Sequence, residues 1–460
     1  MKPKITFLLF CILILAAFLR FYKLSEYMQF GGDEGWGYLV ARDAIVSHTL
    51  LVFGPPTSLG WFHLGPLPYY ILTFSLLVGR FNPLSFAFTT AALDSICVFL
   101  MYEIGRKLIN TKTGLTASLF YASSPFMVFH SRIPLYVNLV PFFSSLFYLF
   151  WFFIIRENKN KEKAERYFLF ACFVFGILIQ FHITPILLLP VFTITLINKV
   201  SLKTAGKGII CFFIPLIPYL YSEWITGFDM TKRIILWFPY RILSSVGLFT
   251  NKNIITPERL YVARSIYTNS LANSVFPAIS FFAILIIIFS VYFLYTRFKR
   301  KYSLSVIGSI FLATLGIFIH GQPAEHYFLY VIPLIILCVS IFLSRIKLGY
   351  MVLFILILSN TLYYFAFGLR SGIPLTEKRK VVEKIIEESE GSSYKIVPSG
   401  DIINLPHYYD AYKYLGFYLG KEATDKGEIS FKVYERIMPD FMLEFSKKIY
   451  RFDHMTLVKY

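Results

Sequence analysis

Pro66–Arg80 reads PLPYYILTFSLLVGR, and whether this stretch crosses a membrane decides on which side every later loop falls. The stretch is apolar but short, with prolines at 66 and 68 and Arg80 at its end. A helix needs about 20 apolar residues to cross a hydrocarbon core of roughly 30 Å. The next apolar stretches, near 84–102 and 115–130, flank a connector carrying Arg106, Lys107 and Lys112. Short Lys/Arg-rich loops stay in the cytoplasm, so a full crossing by 66–80 would put that connector outside and invert all that follow. Read as an interfacial or re-entrant helix, 66–80 leaves the parity intact.

Working outward, the first span is expected near 5–22, entering from Lys2 and Lys4, and it is read as retained because Phe18-Leu19-Arg20 interrupts any small-residue cleavage site. The span at 137–155 leads to the basic run RENKNKEKAER at 156–166, and the pair 167–181 and 184–198 returns to Lys199, Lys203 and Lys207. Span 208–222 opens a long outer segment to about 270. Span 273–295 ends at Arg297, Lys299, Arg300 and Lys301, spans 303–319 and 327–343 bracket an outer HGQPAEHY, and 349–368 is the last. The expected fold is an all-α polytopic membrane protein of about eleven transmembrane helices, with juxtamembrane helices in a first outer loop at about 23–83. The transmembrane unit covers 1–370. Residues 371–460 change character: VVEKIIEESE has apolar positions recurring at three and four, as an amphipathic helix requires, and a strand-like YKIVPSG follows. This tail reads as a small α/β domain outside the cell, with the N-terminus in the cytoplasm of an integral, multi-pass cell-membrane protein.

Composition agrees. Hydrophobic residues make up 56% of the chain and charged residues 16%, with 50 Phe and 32 Tyr, a balance outside ordinary soluble domains. The net charge of +18 is concentrated in inner connectors, so it reports topology and attraction to anionic membrane lipids and not nucleic acid. The five cysteines all lie in apolar spans without metal-like spacing and read as small hydrophobes.

Candidate chemistry gathers on the outer side. In GGDEGWGY (31–38), glycines permit close backbone approach, and Asp33 and Glu34 open a helix. One reading makes Asp33 an N-cap and Glu34 a partner of the helix dipole. The other places a general base at the mouth of a cavity. His63 sits in WFHLGPLPYY (61–70), and Arg132 and Asn138 sit in SRIPLYVN (131–138). Arg132 either snorkels to headgroups or clamps a phosphate, for which a guanidinium has matching geometry. Gln180, His182 and Thr184 interrupt one apolar stretch, and Gln322, Glu325 and His326 another; polar groups at such depth line cavities and pathways. Asp94, inside a span, has no assignment from sequence. No GxGxxG after a strand, Walker loop, HExxH or CxxC occurs, so neither a soluble nucleotide donor nor a metal has sequence support.

These pieces together resemble the GT-C class of integral-membrane glycosyltransferases, specifically the glycosyltransferase family 39 or ArnT-like (protein mannosyltransferase-like) group. The resemblance covers about 1–370 and rests on the Asp33-Glu34 loop, GPLPYY, GRKLINTKTGLTASLFYASSPFMVFHSR, QFHITPILLLP and EHYFLYVIPLIIL. It implies a hexosyl- or pentosyltransferase that takes a sugar from a polyprenyl-phosphate donor to an acceptor lipid, glycan or protein hydroxyl, with inversion. It implies Asp33 as base and Glu34 as its support. Arg132, His63, His182 and His326 would stabilise the leaving phosphate, with Asn138, Gln180 and Glu325 as further donor contacts and no cofactor. Asn138 stands where the family often has an acid. A transporter or flippase of lipid-linked glycans is the alternative, but it would place polar residues near mid-membrane in matching halves.

Overall fold

The computed structural model describes residues 3–57, 60–197, 199–248, 254–320, 323–368, 372–397, 407–439, 443 and 448–460. The first helices are α1 (Pro3–Phe21), α2 (Leu24–Tyr27), α3 (Gly32–Val46), α4 (Leu67–Val78), α5 (Ser85–Leu108), α6 (Thr111–Ser123), α7 (Pro125–Ser131), α8 (Val140–Arg156), α9 (Lys161–Leu178) and α10 (Leu189–Leu196). There follow α11 (Leu202–Phe213), α12 (Ile217–Ile225), α13 (Asp229–Ser245), α14 (Pro257–Val275), α15 (Ser280–Arg297), α16 (Arg300–His320), α17 (Ile332–Leu343) and α18 (Gly349–Ala366). The tail contains α19 (Leu375–Glu388) and α20 (Asp410–Tyr418).

Seven helical segments among the described residues are long and apolar enough to cross a membrane, and shorter apolar helices accompany them. These seven coincide with the predicted spans that begin near 5, 84, 137, 208, 273, 303 and 349. The other four predicted spans also fall on helices, but shorter, more polar or interrupted ones. Proline is the recurrent cause: Pro125 separates α6 from α7, and Pro185 sits in the 3-10 turn Thr184–Leu188 before α10, since proline suits a first helical turn but breaks an interior. The span predicted at 273 starts later, at Ser280, because α14 runs on to Val275 and the chain turns through Pro277. The decisive segment 66–80 forms α4, whose 12 residues rise about 18 Å, too little to cross. Its C-terminal reversal is made by Arg80 and Phe81, both with positive φ.

Aromatic packing fills the bundle. Phe147 of α8 touches Trp151, Phe175 of α9 and Phe192 of α10 at ring separations of 5.6, 5.3 and 5.0 Å. One ion pair is sunk in this interior. Arg20, wholly buried at the end of α1, meets Asp94 of α5 through Nε and Nη2, both at 2.7 Å. Tyr121 of α6 donates its hydroxyl to the other carboxylate oxygen at 2.6 Å. Asp94 therefore has a structural place, as the joint of α1, α5 and α6.

The tail adds a four-stranded sheet of β1 (Tyr394–Val397), β2 (Ile429–Tyr434), β3 (Lys448–Arg451) and β4 (Thr456–Lys459), in the order β1-β2-β4-β3. β1 and β2 are parallel, while β4 runs antiparallel to both of its neighbours. This is the expected small α/β unit. It is stitched to the first loop after α1: Leu375 N–H donates to Met28 O at 2.8 Å, Tyr414 hydroxyl to Phe81 O at 2.7 Å, and Arg42 pairs with Glu422 at 2.6 Å.

Candidate functional site

The glycine-rich stretch 31–38 forms the first turns of α3. Its N-cap is Gly31, not Asp33, and Glu34 at the third helical position accepts the Gly31 N–H at 2.9 Å. Glu34 thus closes half of a capping box, with no side chain on the cap to reciprocate. Burial pushes its carboxyl pKa up; neighbouring Asp33 adds to the rise, while the backbone N–H bonds and Lys378 pull it back. The glycines serve close approach, as expected, but the approaching body is the tail. A Cβ on Gly32 would collide with the His407 carbonyl, and one on Gly35 with the Ala411 amide. His407 also lies against Trp36, ring centroids 4.6 Å apart, and holds Asp410 at 2.9 Å.

With Glu34 occupied by the cap, Asp33 remains the exposed carboxylate of the pair. It opens on a cleft walled by Glu34, Trp36, Tyr69, Phe86 and Tyr136. The Tyr69 hydroxyl is buried without a hydrogen-bond partner among the described residues. Such a cleft offers an ionisable oxygen to a ligand bedded on aromatic faces.

The other predicted site residues do not line this cleft. Arg132 is committed elsewhere: its guanidinium donates to the carbonyls of Leu19, Arg20, Tyr22 and Lys23 at 3.2, 3.2, 2.8 and 3.4 Å. Those of Leu19, Arg20 and Tyr22 lie at the C-terminal end of α1, where a cation caps carbonyls well, while Lys23 O also accepts the Glu26 and Tyr27 N–H groups. The structure thus gives Arg132 a helix-capping role beside the phosphate contact that the resemblance implies. Gln180 is likewise used at both ends, accepting the Leu67 N–H at 3.3 Å and donating to Gly176 O at 3.2 Å and Pro215 O at 3.0 Å; it fastens α4 to the bundle. His63 donates Nδ1–H to Gly54 O at 3.0 Å within a tight loop. Aromatic pairs of Trp61 with Tyr240 and Phe62 with Trp237 hold that loop against α13.

The remaining predicted residues do converge, around a histidine that sequence reading did not single out. Asn138 donates Nδ2–H to Ile133 O at 3.0 Å and accepts His130 Nδ1–H at 3.1 Å. His130 Nε2 then faces Glu325 at 4.0 Å. His326 packs edge-on to His182, centroids 5.6 Å apart, and both rings touch Tyr327. Thr184 donates its N–H to His182 Nδ1 at 3.2 Å, so that ring carries its proton on Nε2. Burial lowers the pKa of His182 to about 3 and of His326 to about 4. They are neutral imidazoles near neutral pH and contribute hydrogen bonds, not charge. Gln322 lies outside the described residues. Tyr136, which lines the cleft, is within electrostatic reach of both Asp33 and Tyr327. The signal for His130 was its place in FMVFHSR (126–132), eight residues before Asn138.

Comparisons with known proteins place the fold in a recognised architecture. The family model described as dolichyl-phosphate-mannose-protein mannosyltransferase matches residues 63–221. The chain is similar in structure to ArnT from Cupriavidus metallidurans, solved with undecaprenyl phosphate, at a TM-score of 0.67 and 12% identity, covering 100% of this chain and 98% of that one. It is also similar to the Archaeoglobus fulgidus oligosaccharyltransferase AglB, solved with an inhibitory peptide and a dolichol-phosphate. There the TM-score is 0.56 at 13% identity, covering 94% of this chain and 69% of that one. Comparison with curated proteins gives no match. The fold is therefore the one that the sequence resemblance implies, that of the GT-C membrane glycosyltransferases, and the chain is an integral, multi-pass membrane protein.

Proposed function

We propose that this protein is a glycosyltransferase that moves a sugar, a hexose or pentose, from a polyprenyl-phosphate donor to an acceptor hydroxyl at the outer membrane face, with inversion. The observation that carries the reading is Asp33, an exposed carboxylate at an aromatic cleft in a fold whose solved examples bind polyprenyl phosphates. Asp33 accepts the proton of the attacking hydroxyl as the new bond forms. Glu34 acts on the loop, by holding the turn that presents Asp33. The acceptor is a lipid, glycan or protein segment that reaches the cleft beside the tail, and no cofactor enters the reaction. Purified protein in detergent is expected to release lipid phosphate from at least one member of a panel of polyprenyl-phosphate sugars when acceptors are supplied. Failure with every hexosyl and pentosyl donor in the panel would reject the reading.

The same proposal sets the orientation, with the N-terminus in the cytoplasm and the cleft and tail outside. Ser47 and Asn160 are both exposed. In intact cells, Ser47→Cys is expected to react with a membrane-impermeant maleimide, and Asn160→Cys only after the membrane is opened. The reverse pattern would overturn the topology.

A further inference from the structure

We propose that His407 of the tail is a positioning residue for the acceptor: it fixes the Trp36 indole, on which the group carrying the attacking hydroxyl beds, and the inference rests on the transferase reading above. Positions 32, 35 and 36 share one face of α3, as residues three and four apart do on a helix, and the tail covers that face. A Cβ on Gly32 would stand 2.3 Å from the His407 carbonyl oxygen, and one on Gly35 2.1 Å from the Ala411 nitrogen. The His407 ring lies 4.6 Å from the Trp36 ring, with the two planes 34° apart. His407 therefore touches both the first and the last residue of the face. Asp33, between them in sequence, is the exposed carboxylate of the cleft.

Trp36 is also a wall of that cleft, half-buried, and its ring meets Tyr69, another wall, edge-on at 6.3 Å. Through this indole the tail reaches the cleft. His407 is itself held twice by Asp410, the first residue of α20. Its Nδ1 donates to the Asp410 carboxylate at 2.9 Å, and its carbonyl accepts the Asp410 N–H at 3.0 Å. α20 in turn is fixed on α3, where Tyr414 packs edge-on to Tyr38 at 4.9 Å. The ring against Trp36 thus belongs to a braced turn.

The backbone at His407 points the same way. Its φ is +66°, in the left-handed region that glycine occupies at no steric cost and a residue with a Cβ does not. A turn that needed only this backbone would be served better by glycine. What the imidazole gains there is the contact with Trp36 and the bond to Asp410. Asp33 takes its proton from the acceptor, and Trp36 stands about one turn further along the same helix. The group bedded on the indole is therefore the acceptor's reacting end, not the polyprenyl chain. Displacing the indole weakens acceptor binding and leaves the base and the donor in place, so the loss falls on KM.

The test uses the full-length protein with the donor and acceptor that wild type turns over in the panel above. It reads KM for that acceptor, a quantity independent of how much of the enzyme is folded. His407→Asn keeps a residue suited to the left-handed turn and an N–H for Asp410 at the place of Nδ1, and removes the ring. It is expected to raise this KM about tenfold, the upper end of what one aromatic contact contributes, with kcat and undecaprenyl phosphate binding near wild type. Trp36→Ala is expected to raise it at least as much. The two substitutions combined should raise it no further than Trp36→Ala alone, because residues that act through one contact are not additive. A wild-type KM in His407→Asn, or two effects that multiply in the combined variant, would overturn the inference while leaving the transferase reading in place. Turnover of no donor and acceptor by wild type would overturn both.

Discussion

Asp33→Asn is expected to slow sugar transfer by about 10²- to 10⁴-fold, the range supplied by a positioned general base. The amide has the shape of the carboxylate but no capacity to take a proton from the acceptor hydroxyl. The substitution should leave the rest of the molecule alone. Asp33 is exposed, and the turn that carries it is held by the bond between Glu34 and Gly31 and by the packing of Gly32 and Gly35 against the tail. Thermal unfolding and undecaprenyl phosphate binding are therefore expected to match wild type, with the loss confined to turnover of the active donor. Glu34→Gln makes the contrast. It keeps an acceptor oxygen for Gly31, so it should retain most of the rate. A variant at position 33 that transfers sugar at the wild-type rate would remove this carboxylate from the mechanism.

The division of labour between these neighbouring acids was only half legible in sequence. Hydrophobic length and basic connectors located helices at the predicted spans, because partition into a bilayer depends on local composition. Proline breaks such as Ser124-Pro125 depend on the local chain as well. The uses of Arg132, Gln180 and Asn138 are different in kind. Each saturates backbone carbonyls or amides, and in two cases the partners lie far off in the chain: Leu19 to Lys23 for Arg132, Leu67 and Pro215 for Gln180. A polar residue at depth announces that it has a partner, but its type does not say whether that partner is a ligand or a helix end. The same holds for Gly32 and Gly35. Their lack of a Cβ was visible, yet the backbone that needs the space belongs to α20 and the turn before it. His130 is the converse case, an ordinary histidine in an apolar helix that gains meaning only when Asn138 and Glu325 close around it.

Asp94→Ala is expected to destabilise the protein by about 3–5 kcal/mol, the cost of leaving one partner of a buried ion pair uncompensated. Arg20 would keep its charge in an interior where it is wholly buried, with the Ala16 and Ala122 carbonyls, at 3.2 and 3.1 Å, as its remaining acceptors among the described residues. Tyr121 would lose its acceptor too. The pair is a joint more than a source of net stability, because bringing both charges out of water offsets much of their attraction. That distinction gives a sharper expectation: Arg20→Met, Asp94→Leu and Tyr121→Phe combined should recover most of the stability lost in Asp94→Ala. Thermal unfolding of the single and combined variants in one detergent measures both. If the combined variant is as unstable as the single one, the pair contributes beyond mutual compensation. If Asp94→Ala unfolds like wild type, the joint is not one. The consequence for function follows from position. Arg20 fastens the last turn of α1, Arg132 caps the carbonyls just beyond it, and the chain then enters the loop that carries Asp33. Loosening this end of α1 is thus expected to lower transfer even in molecules that remain folded.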